Sequence, residues 1–124
     1  MAIVAGNQAL ASDVLLLKTY VEIAPSAAHQ VTNSDTWEDW DISAIVPAST
    51  KCVLVGLLVF LNGENNGVRK NGSAVDRRSI FALGGNAMMR WDICECDTNR
   101  VIECYDDNVG EDGEFYIMGY WKDE

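Results

Sequence analysis

The sequence predicts an all-β fold, an antiparallel β-sandwich of about eight or nine strands with a short N-terminal helix or arm. The first observation is a run of ten apolar residues, 52–61, which is rich in valine and leucine and bounded by Lys51 and Asn62. This run is far shorter than the roughly 20 residues of a membrane-spanning helix, so it predicts a strand buried on both faces. The second observation is a series of short apolar segments separated by turn residues. Two sheets packed face to face would cover both sides of the central strand.

Length and charge limit the classes of protein to which the chain can belong. Its 124 residues, 48% of them hydrophobic, suffice for one domain and are too few for two ordinary ones. Nineteen acidic residues against nine basic ones give a net charge of −10, so we expect no nucleic-acid partner and no binding to anionic membranes. Residues 1–11 contain neither a basic segment nor a continuous apolar one. We therefore expect no secretory signal, no membrane insertion, and folding in the cytosol.

The N-terminal segment differs from the rest, and we predict an arm or short helix over residues 1–18 and the sandwich domain over residues 19–124. Ser12 and Asp13 precede four consecutive apolar residues, as an N-cap precedes a helix. A helix this short is not stable alone. It would pack either on its own domain or on other copies of the chain or parts of a larger particle.

Period-2 alternation and turn residues place the other strands. The first begins at Thr19 and ends before Pro25, and the central strand is followed by a short one at residues 68–70. Asn71-Gly72 then gives a strong signal for a two-residue hairpin turn.

Four further strands are predicted at residues 79–83, 88–97, 100–105 and 115–121. The second and third of these are expected to form a hairpin, with Trp91, Ile93, Val101 and Ile102 available to the core. In the last, Gly119 allows a bulge or a close approach.

Two tryptophans and three carboxylates lie together in residues 37–43. In a strand, Trp37 and Trp40 would point to opposite sides, one to the core and one to solvent. An exposed tryptophan beside carboxylates is a common arrangement for holding a sugar ring, so Trp37, Trp40 and Asp41 are the candidate ligand-binding residues. Core packing is the alternative for either tryptophan. Glu38, Asp39 and Asp41 also suggest a glycosidase, but neighbours on a strand rarely flank a scissile bond as that chemistry requires.

Four of the nine basic residues, Arg69, Lys70, Arg77 and Arg78, lie within ten positions of one another. On an otherwise acidic chain they are candidates for contacts between subunits or with an acidic partner. Scattered, solvated charges are the alternative. If they join subunits, replacing Arg69 with glutamate should weaken assembly more than folding.

No set of residues in the sequence indicates a metal, a cofactor or a catalytic centre. The five carboxylates of residues 106–114 do not have EF-hand spacing, which favours a solvated acidic turn over a calcium site. His29 is the only histidine, and no nucleophile is marked beside it.

The four cysteines predict free, mostly buried thiols, with a disulfide or a zinc site as alternatives. They are Cys52, Cys94, Cys96 and Cys104.

Several short segments, in their order along the chain, resemble a known class of proteins. They are residues 37–43 (WEDWDIS), Val46-Pro47, residues 67–73 (GVRKNGS), residues 101–105 (VIECY) and residues 118–121 (MGYW). Their order resembles that of β-sandwich domains of bacteriophage tail-fibre and related virion proteins, and residues 5–13 look like the start of many phage structural proteins. The resemblance implies a jelly-roll-like, receptor-binding or head/tail decoration domain that forms homotrimers.

The resemblance and the missing catalytic set lead to one expected function and two alternatives. We expect a non-enzymatic phage virion structural or receptor-binding domain that needs no cofactor and no metal. It would form a homo-oligomer, a trimer, that is assembled in the host cytoplasm, contacts other virion proteins and attaches to a host-cell surface glycan or protein. The alternatives are a free-standing carbohydrate-binding module and a small glycoside hydrolase.

Overall fold

The regular structure of the described residues is entirely β. A computed structural model describes residues 18–59, 64–80, 87–107 and 113–123, and these contain no α-helix, which confirms the predicted all-β class. Seven strands have four or more residues and an eighth has only two, so the predicted number of eight or nine strands is not supported. The strands are β1 Lys18–Glu22, β2 Glu38–Asp41, β3 Thr50–Val59, β4 Asn65–Lys70, β5 Ser79–Ile80, β6 Met88–Glu95, β7 Val101–Asp106 and β8 Glu114–Asp123.

Three of the predicted structural elements extend beyond the described residues. The N-terminal arm or helix falls outside them except for Lys18, which begins β1. The last two residues of the apolar run 52–61 and the last three of the strand predicted at 79–83 also fall outside.

The strands form two antiparallel sheets that pack face to face. The first sheet has the order β1-β8-β3-β6 and the second the order β2-β7-β4-β5. The strands pair from the outside of the sequence inward, the first with the last and so on to the middle, as the two halves of one long hairpin do. These pairs are β1·β8, β2·β7, β3·β6 and β4·β5. The pairs β3·β8 and β4·β7 complete the two sheets. Most connections therefore cross from one sheet to the other.

The core lies between the sheets and takes side chains from both. The inward side chains of β3 lie beside those of β8 in the same sheet and pack against side chains of the second sheet. The main contributors are Val53, Val55, Leu57, Phe115 and Ile117 from the first sheet and Trp40, Val68, Ile102 and Cys104 from the second. On the other face of β3, Leu54 and Leu58 are only partly buried. The prediction that both faces of this strand are buried is therefore half right, since no third layer covers the outer face among the described residues.

Two local predictions need correction. Residues 88–97 and 100–105 do not form a hairpin, because β6 pairs with β3 whereas β7 pairs with β2 and β4. Residues 96–100 instead carry the chain between sheets, with Arg100 at a φ of 61°. The Asn71-Gly72 turn does form, with Gly72 at a φ of 80°. The chain does not pair back at once, however, but continues to residue 78 before β5 joins β4.

Two glycines allow close approaches that fix the packing around the sheets. The register of β3 on β8 shifts next to Gly119, and the Tyr20 ring lies directly over that glycine. Both the bulge and the close approach predicted at Gly119 are thus confirmed. In β4, a methyl group on Gly67 would come within 2.5 Å of the Arg77 carbonyl oxygen. The bare glycine therefore lets the connection between β4 and β5 pass close to the sheet.

Candidate functional site

Strand β6 presents its apolar side chains to the outside. Met89, Trp91 and Ile93 are 38%, 53% and 54% exposed. The residues between them, Arg90 and Asp92, are less exposed and turned towards the second sheet. The usual alternation of a half-buried strand, apolar inward and polar outward, is thus inverted here. The prediction that Trp91 and Ile93 belong to the core is wrong.

These side chains belong to a larger apolar surface, which we call the outer face of the first sheet. It carries aromatic, methionine and aliphatic side chains from all four strands. They are Tyr20, Leu54, Leu58, Met89, Trp91, Ile93, Met118 and Trp121. At one end of this face, the rings of Tyr20 and Trp121 pack with their centroids 4.7 Å apart. Large contiguous apolar surfaces are typical of interaction sites, so this face is the candidate binding surface.

The Trp91 ring packs over Gly56. The two residues are opposite each other in β3 and β6. A methyl group on Gly56 would lie 3.4 Å from Trp91 Cζ3, 3.5 Å from Met89 Sδ and 3.6 Å from Met118 Cγ. The indole therefore packs over the glycine, next to two methionines. This support holds the ring in place although half of its surface is open to solvent.

An open cavity of about 460 Å³ lies beside Trp91, and its other lining residues are Leu54, Arg77, Asp92 and Ile93. Its polar wall is an ion pair in which Arg77 Nη2 donates to Asp92 Oδ1 at 2.7 Å. The same nitrogen donates to the Ile93 carbonyl oxygen at 3.3 Å. Because Arg77 comes from the connection between β4 and β5, the cavity lies where the edges of the two sheets meet. Its size is within the range of roughly 300–1,000 Å³ found for small-molecule sites.

A second cavity, of about 370 Å³, lies at the C-terminal end of β6. Two lysines line it, and both form ion pairs: Lys70 with Glu95 at 2.9 Å and Lys51 with Asp123 at 3.6 Å. Burial, with the nearby Cys52, raises the pKa of the Cys96 thiol that also lines the cavity. Cys96 is therefore a neutral thiol at neutral pH, and not a nucleophilic thiolate.

The three predicted ligand-binding residues are not brought together. Trp40 is 7% exposed and stacks on His29 with ring centroids 4.4 Å apart, so the core alternative is confirmed for it. Trp37 is partly buried against Tyr105, with the Arg69 guanidinium 4.1 Å from its ring centroid. Asp41 is exposed, and its Oδ1 accepts a hydrogen bond from the Ser43 N–H at 2.9 Å. Ligand binding by this group stays a prediction, although neither indole is as exposed as that of Trp91.

The four predicted oligomer-contact residues all form ion pairs within the chain. The pairs are Arg69–Glu103, Lys70–Glu95, Arg77–Asp92 and Arg78–Asp76, with N–O distances from 2.6 to 2.9 Å. Arg78 also lies over the Tyr105 ring, 4.6 Å from its centroid. Contact with another subunit stays a prediction for these residues. The positive charge of each is already matched by a carboxylate of the same chain.

Two of the three candidate glycosidase carboxylates, Glu38 and Asp41, are not tuned to act as an acid. A glycosidase acid requires a raised pKa. Burial acts to raise the pKa of Glu38, but hydrogen bonds from Thr32 and Asn33 lower it overall, and hydrogen bonds from Ser43 lower the pKa of Asp41. Within the described ranges, no group of three or more His, Cys, Asp or Glu residues is placed to hold a metal ion.

The acidic segment 106–114, considered above for calcium, lies partly outside the described ranges, so that prediction stays open. None of the described residues belongs to a helix long and apolar enough to cross a membrane.

Comparisons with protein families, curated proteins and solved structures found no match.

Sequence reasoning missed the cavity beside Trp91 for an identifiable reason. Alternation in residues 89–95 shows that Trp91 and Ile93 share one face of a strand, but it does not show which face is inward. The glycine in the middle of the apolar run, Gly56, was a usable signal, because glycine inside a strand often marks a close approach by another group.

Proposed function

We propose that this chain is a non-enzymatic attachment domain of a bacteriophage virion, which binds a host-cell surface glycan or protein through the outer face of the first sheet. The domain is a homo-oligomer, a trimer, which is assembled with other virion proteins in the host cytoplasm. The proposal combines the sequence resemblance to tail-fibre and virion domains with two features of the fold.

The first supporting feature is the order of the strands. The nested pairs β1·β8, β2·β7, β3·β6 and β4·β5 are those of a jelly roll, in which a long hairpin folds into two four-stranded sheets. Viral capsid and lectin domains use this architecture. This support is an analogy at the level of fold, and the function has to be argued from the surface.

The observation that carries the proposal is the exposed outer face. Trp91 and Ile93 each leave more than half of their surface in solvent, and Tyr20 is 41% exposed on the same face. Tryptophan, tyrosine and methionine are enriched at protein interfaces, and tryptophan and tyrosine among the residues that dominate binding energy. A contiguous apolar face of this kind is typical of a surface that contacts another molecule, which supports the proposal.

A free-standing carbohydrate-binding module is the second candidate function. It is favoured by the cavity beside Trp91, where an exposed indole adjoins the Arg77–Asp92 ion pair. The two candidates differ in assembly, because a free-standing module needs no partner chain.

Light scattering and envelope binding together test the proposal. We expect a species of three chains at micromolar concentration, and co-sedimentation with envelope preparations from at least one bacterium of a broad panel. Replacing Ile93 with serine should weaken this binding. Val75→Ser is the matched control, since Val75 is equally open to solvent, at 62% exposed, but lies on the connection after β4. A strict monomer that binds no envelope preparation contradicts the proposal.

A further inference from the structure

We infer that the cavity beside Trp91 binds the pyranose ring of an uncharged sugar, with Trp91 as the stacking platform and Arg77 and Asp92 as the hydrogen-bonding wall. This inference rests on the attachment function proposed above and names its ligand class. It also moves the sugar contact from the Trp37–Asp41 segment, where the sequence suggested it, to the edge of β6.

The platform is the supported indole of Trp91. Gly56 leaves room beneath the ring, and Met89 and Met118 lie at its sides. The ring is therefore held in one position before any ligand arrives, which reduces the entropy lost on binding. A pyranose presents a face of C–H groups to such a ring, and an aromatic face attracts positively polarised hydrogens.

The hydrogen-bonding wall is the Arg77–Asp92 ion pair. Arg77 uses only Nη2 towards Asp92 Oδ1 and the Ile93 carbonyl. Among the described residues, Asp92 Oδ2 and the Nε and Nη1 groups of Arg77 make no hydrogen bond. A carboxylate oxygen accepts and a guanidinium donates, so together they match neighbouring sugar hydroxyls, each of which both donates and accepts.

The charge at the cavity selects an uncharged ligand. Arg77 and Asp92 cancel each other, and the rest of the chain has an excess of negative charge, with a net value of −10. An acidic sugar would meet no unmatched cation here and would be repelled by the domain as a whole. Ile93 and Leu54 give the remaining walls an apolar character that suits the C–H face of a neutral hexose.

The other three tryptophans are less suited to this role. Trp40 is buried against His29, and Trp37 is covered by the Arg69 guanidinium. The ring of Trp121 packs against Tyr20. Trp91 is the indole with the largest open surface, at 53% exposed, and it adjoins a cavity with polar groups.

The test is an NMR titration of the full chain with methyl glucosides, mannosides and galactosides, and with soluble glucan, mannan and galactan. The indole N–H of Trp91, assigned from a Trp91→Phe variant, should shift with at least one of these probes, while that of buried Trp40 stays in place. Trp91→Ala and Asp92→Asn should each weaken the affinity by about tenfold or more. Met88→Ala is the matched control, because Met88 is 41% exposed on the same strand and does not line the cavity.

Three outcomes distinguish a failure of the sugar site from a failure of the attachment function. Envelope binding without any shift of the Trp91 resonance, or with full sugar affinity in both Trp91→Ala and Asp92→Asn, overturns the sugar site and leaves the attachment function standing. Sugar binding lost in these variants, in a protein that binds no envelope, supports the site and overturns the attachment function. A shift confined to Trp37 overturns the site and restores the position suggested by the sequence.

Discussion

Arg69 and Glu103 lie opposite each other on β4 and β7 and form an ion pair that is largely shielded from water. Arg69 Nε and Nη2 are 2.8 and 2.7 Å from Glu103 Oε1, and the two side chains are 15% and 9% exposed. The second carboxylate oxygen accepts a hydrogen bond from the Gly72 N–H at 2.7 Å. On its other side, the Arg69 guanidinium covers the Trp37 ring. One pair thus fixes the turn after β4, the start of β2 and the middle of β7.

The first prediction concerns this pair. Arg69→Glu should lower the free energy of unfolding by roughly 3–5 kcal/mol, because removing one partner leaves a shielded charge without compensation. Urea unfolding followed by tryptophan fluorescence measures the change. The sequence alone suggested that this variant weakens assembly more than folding, whereas the environment of the pair predicts a large loss of folding stability.

Lys70→Glu is the matched control for that prediction. Lys70 is the next residue, and its pair with Glu95 is open to solvent, with side chains 45% and 64% exposed. Solvated pairs contribute little, so the unfolding curve of this variant should match that of the wild type. An Arg69→Glu protein with wild-type stability but a smaller oligomer would show that Arg69 acts between subunits instead.

The second prediction concerns pH and His29. Burial lowers the pKa of His29 below its ordinary value of 6.5, although the nearby Glu38 carboxylate acts to raise it. The unfolded chain therefore binds the proton more readily than the folded chain. The stability from this residue is fully present above the unfolded pKa and is lost as the pH falls through the folded pKa. The free energy of unfolding should thus be lower at about pH 5 than at about pH 7.5.

A His29→Gln variant isolates this effect. The carboxyl groups with lowered pKa, such as Asp41 and Asp97, lose their contributions only as the pH falls below the ordinary carboxyl value of about 4. Between about pH 5 and pH 7.5, the variant should therefore show a flatter stability profile than the wild type. Identical profiles, or an imidazole pKa above 6.5 in an NMR titration of the wild type, would contradict the prediction.

The sequence was sufficient to predict the layers of the fold but not the pairing of the strands. The run at residues 52–61 predicted a central strand because its apolar content requires burial, and β3 is paired on both sides. Residues 88–105 looked like a hairpin because the strands are adjacent in sequence. They are separated into different sheets by contacts with β3, β2 and β4, and such long-range pairings leave no local trace.

The candidate site was harder to predict, because its parts are distant in the sequence. Arg77 and Asp92 are 15 positions apart, and they meet only because the connection between β4 and β5 passes the edge of the first sheet at β6. Trp40 shows the converse case: period-2 geometry indicated that one of the two tryptophans in residues 37–43 is in the core, and tertiary contacts with His29 decide which one.

The third prediction concerns the cysteines, none of which forms a disulfide. Burial raises the pKa of Cys94 to about 12 and also raises that of the fully buried Cys104. Cys52 is the one that is only partly buried. Because the thiolate is the reactive form, iodoacetamide should modify Cys52 first in the native protein and the others only on unfolding. Peptide mapping by mass spectrometry shows which cysteine is modified. The Cys52→Ser variant should lose the fast reaction. Rapid labelling of Cys104 in the native protein would contradict the prediction.

The fourth prediction compares two glycines near the β4 turn. A methyl group on Gly67 would meet the Arg77 carbonyl oxygen at 2.5 Å and the Arg78 Cα at 3.1 Å, so Gly67→Ala must push the connection outward. We expect it to lower the free energy of unfolding by roughly 1–3 kcal/mol. Gly72 has open space around it but a φ of 80°, so Gly72→Ala meets backbone strain of about 1 kcal/mol without a clash.

The two glycine variants differ most in their effect on the cavity. Arg77 lies on the connection that passes close to Gly67, and from there it pairs with Asp92. Gly67→Ala should therefore displace the ion pair and shift the Trp91 indole N–H resonance. Gly72→Ala should leave that resonance unchanged, since a methyl group on Gly72 meets nothing within 4 Å and the Gly72 N–H donates a hydrogen bond to Glu103 on β7. Equal spectra for the two variants would mean that Arg77 is positioned by its own ion pair and not by the close passage over β4. A shift in Gly67→Ala alone ties the shape of the cavity to a glycine in the other sheet.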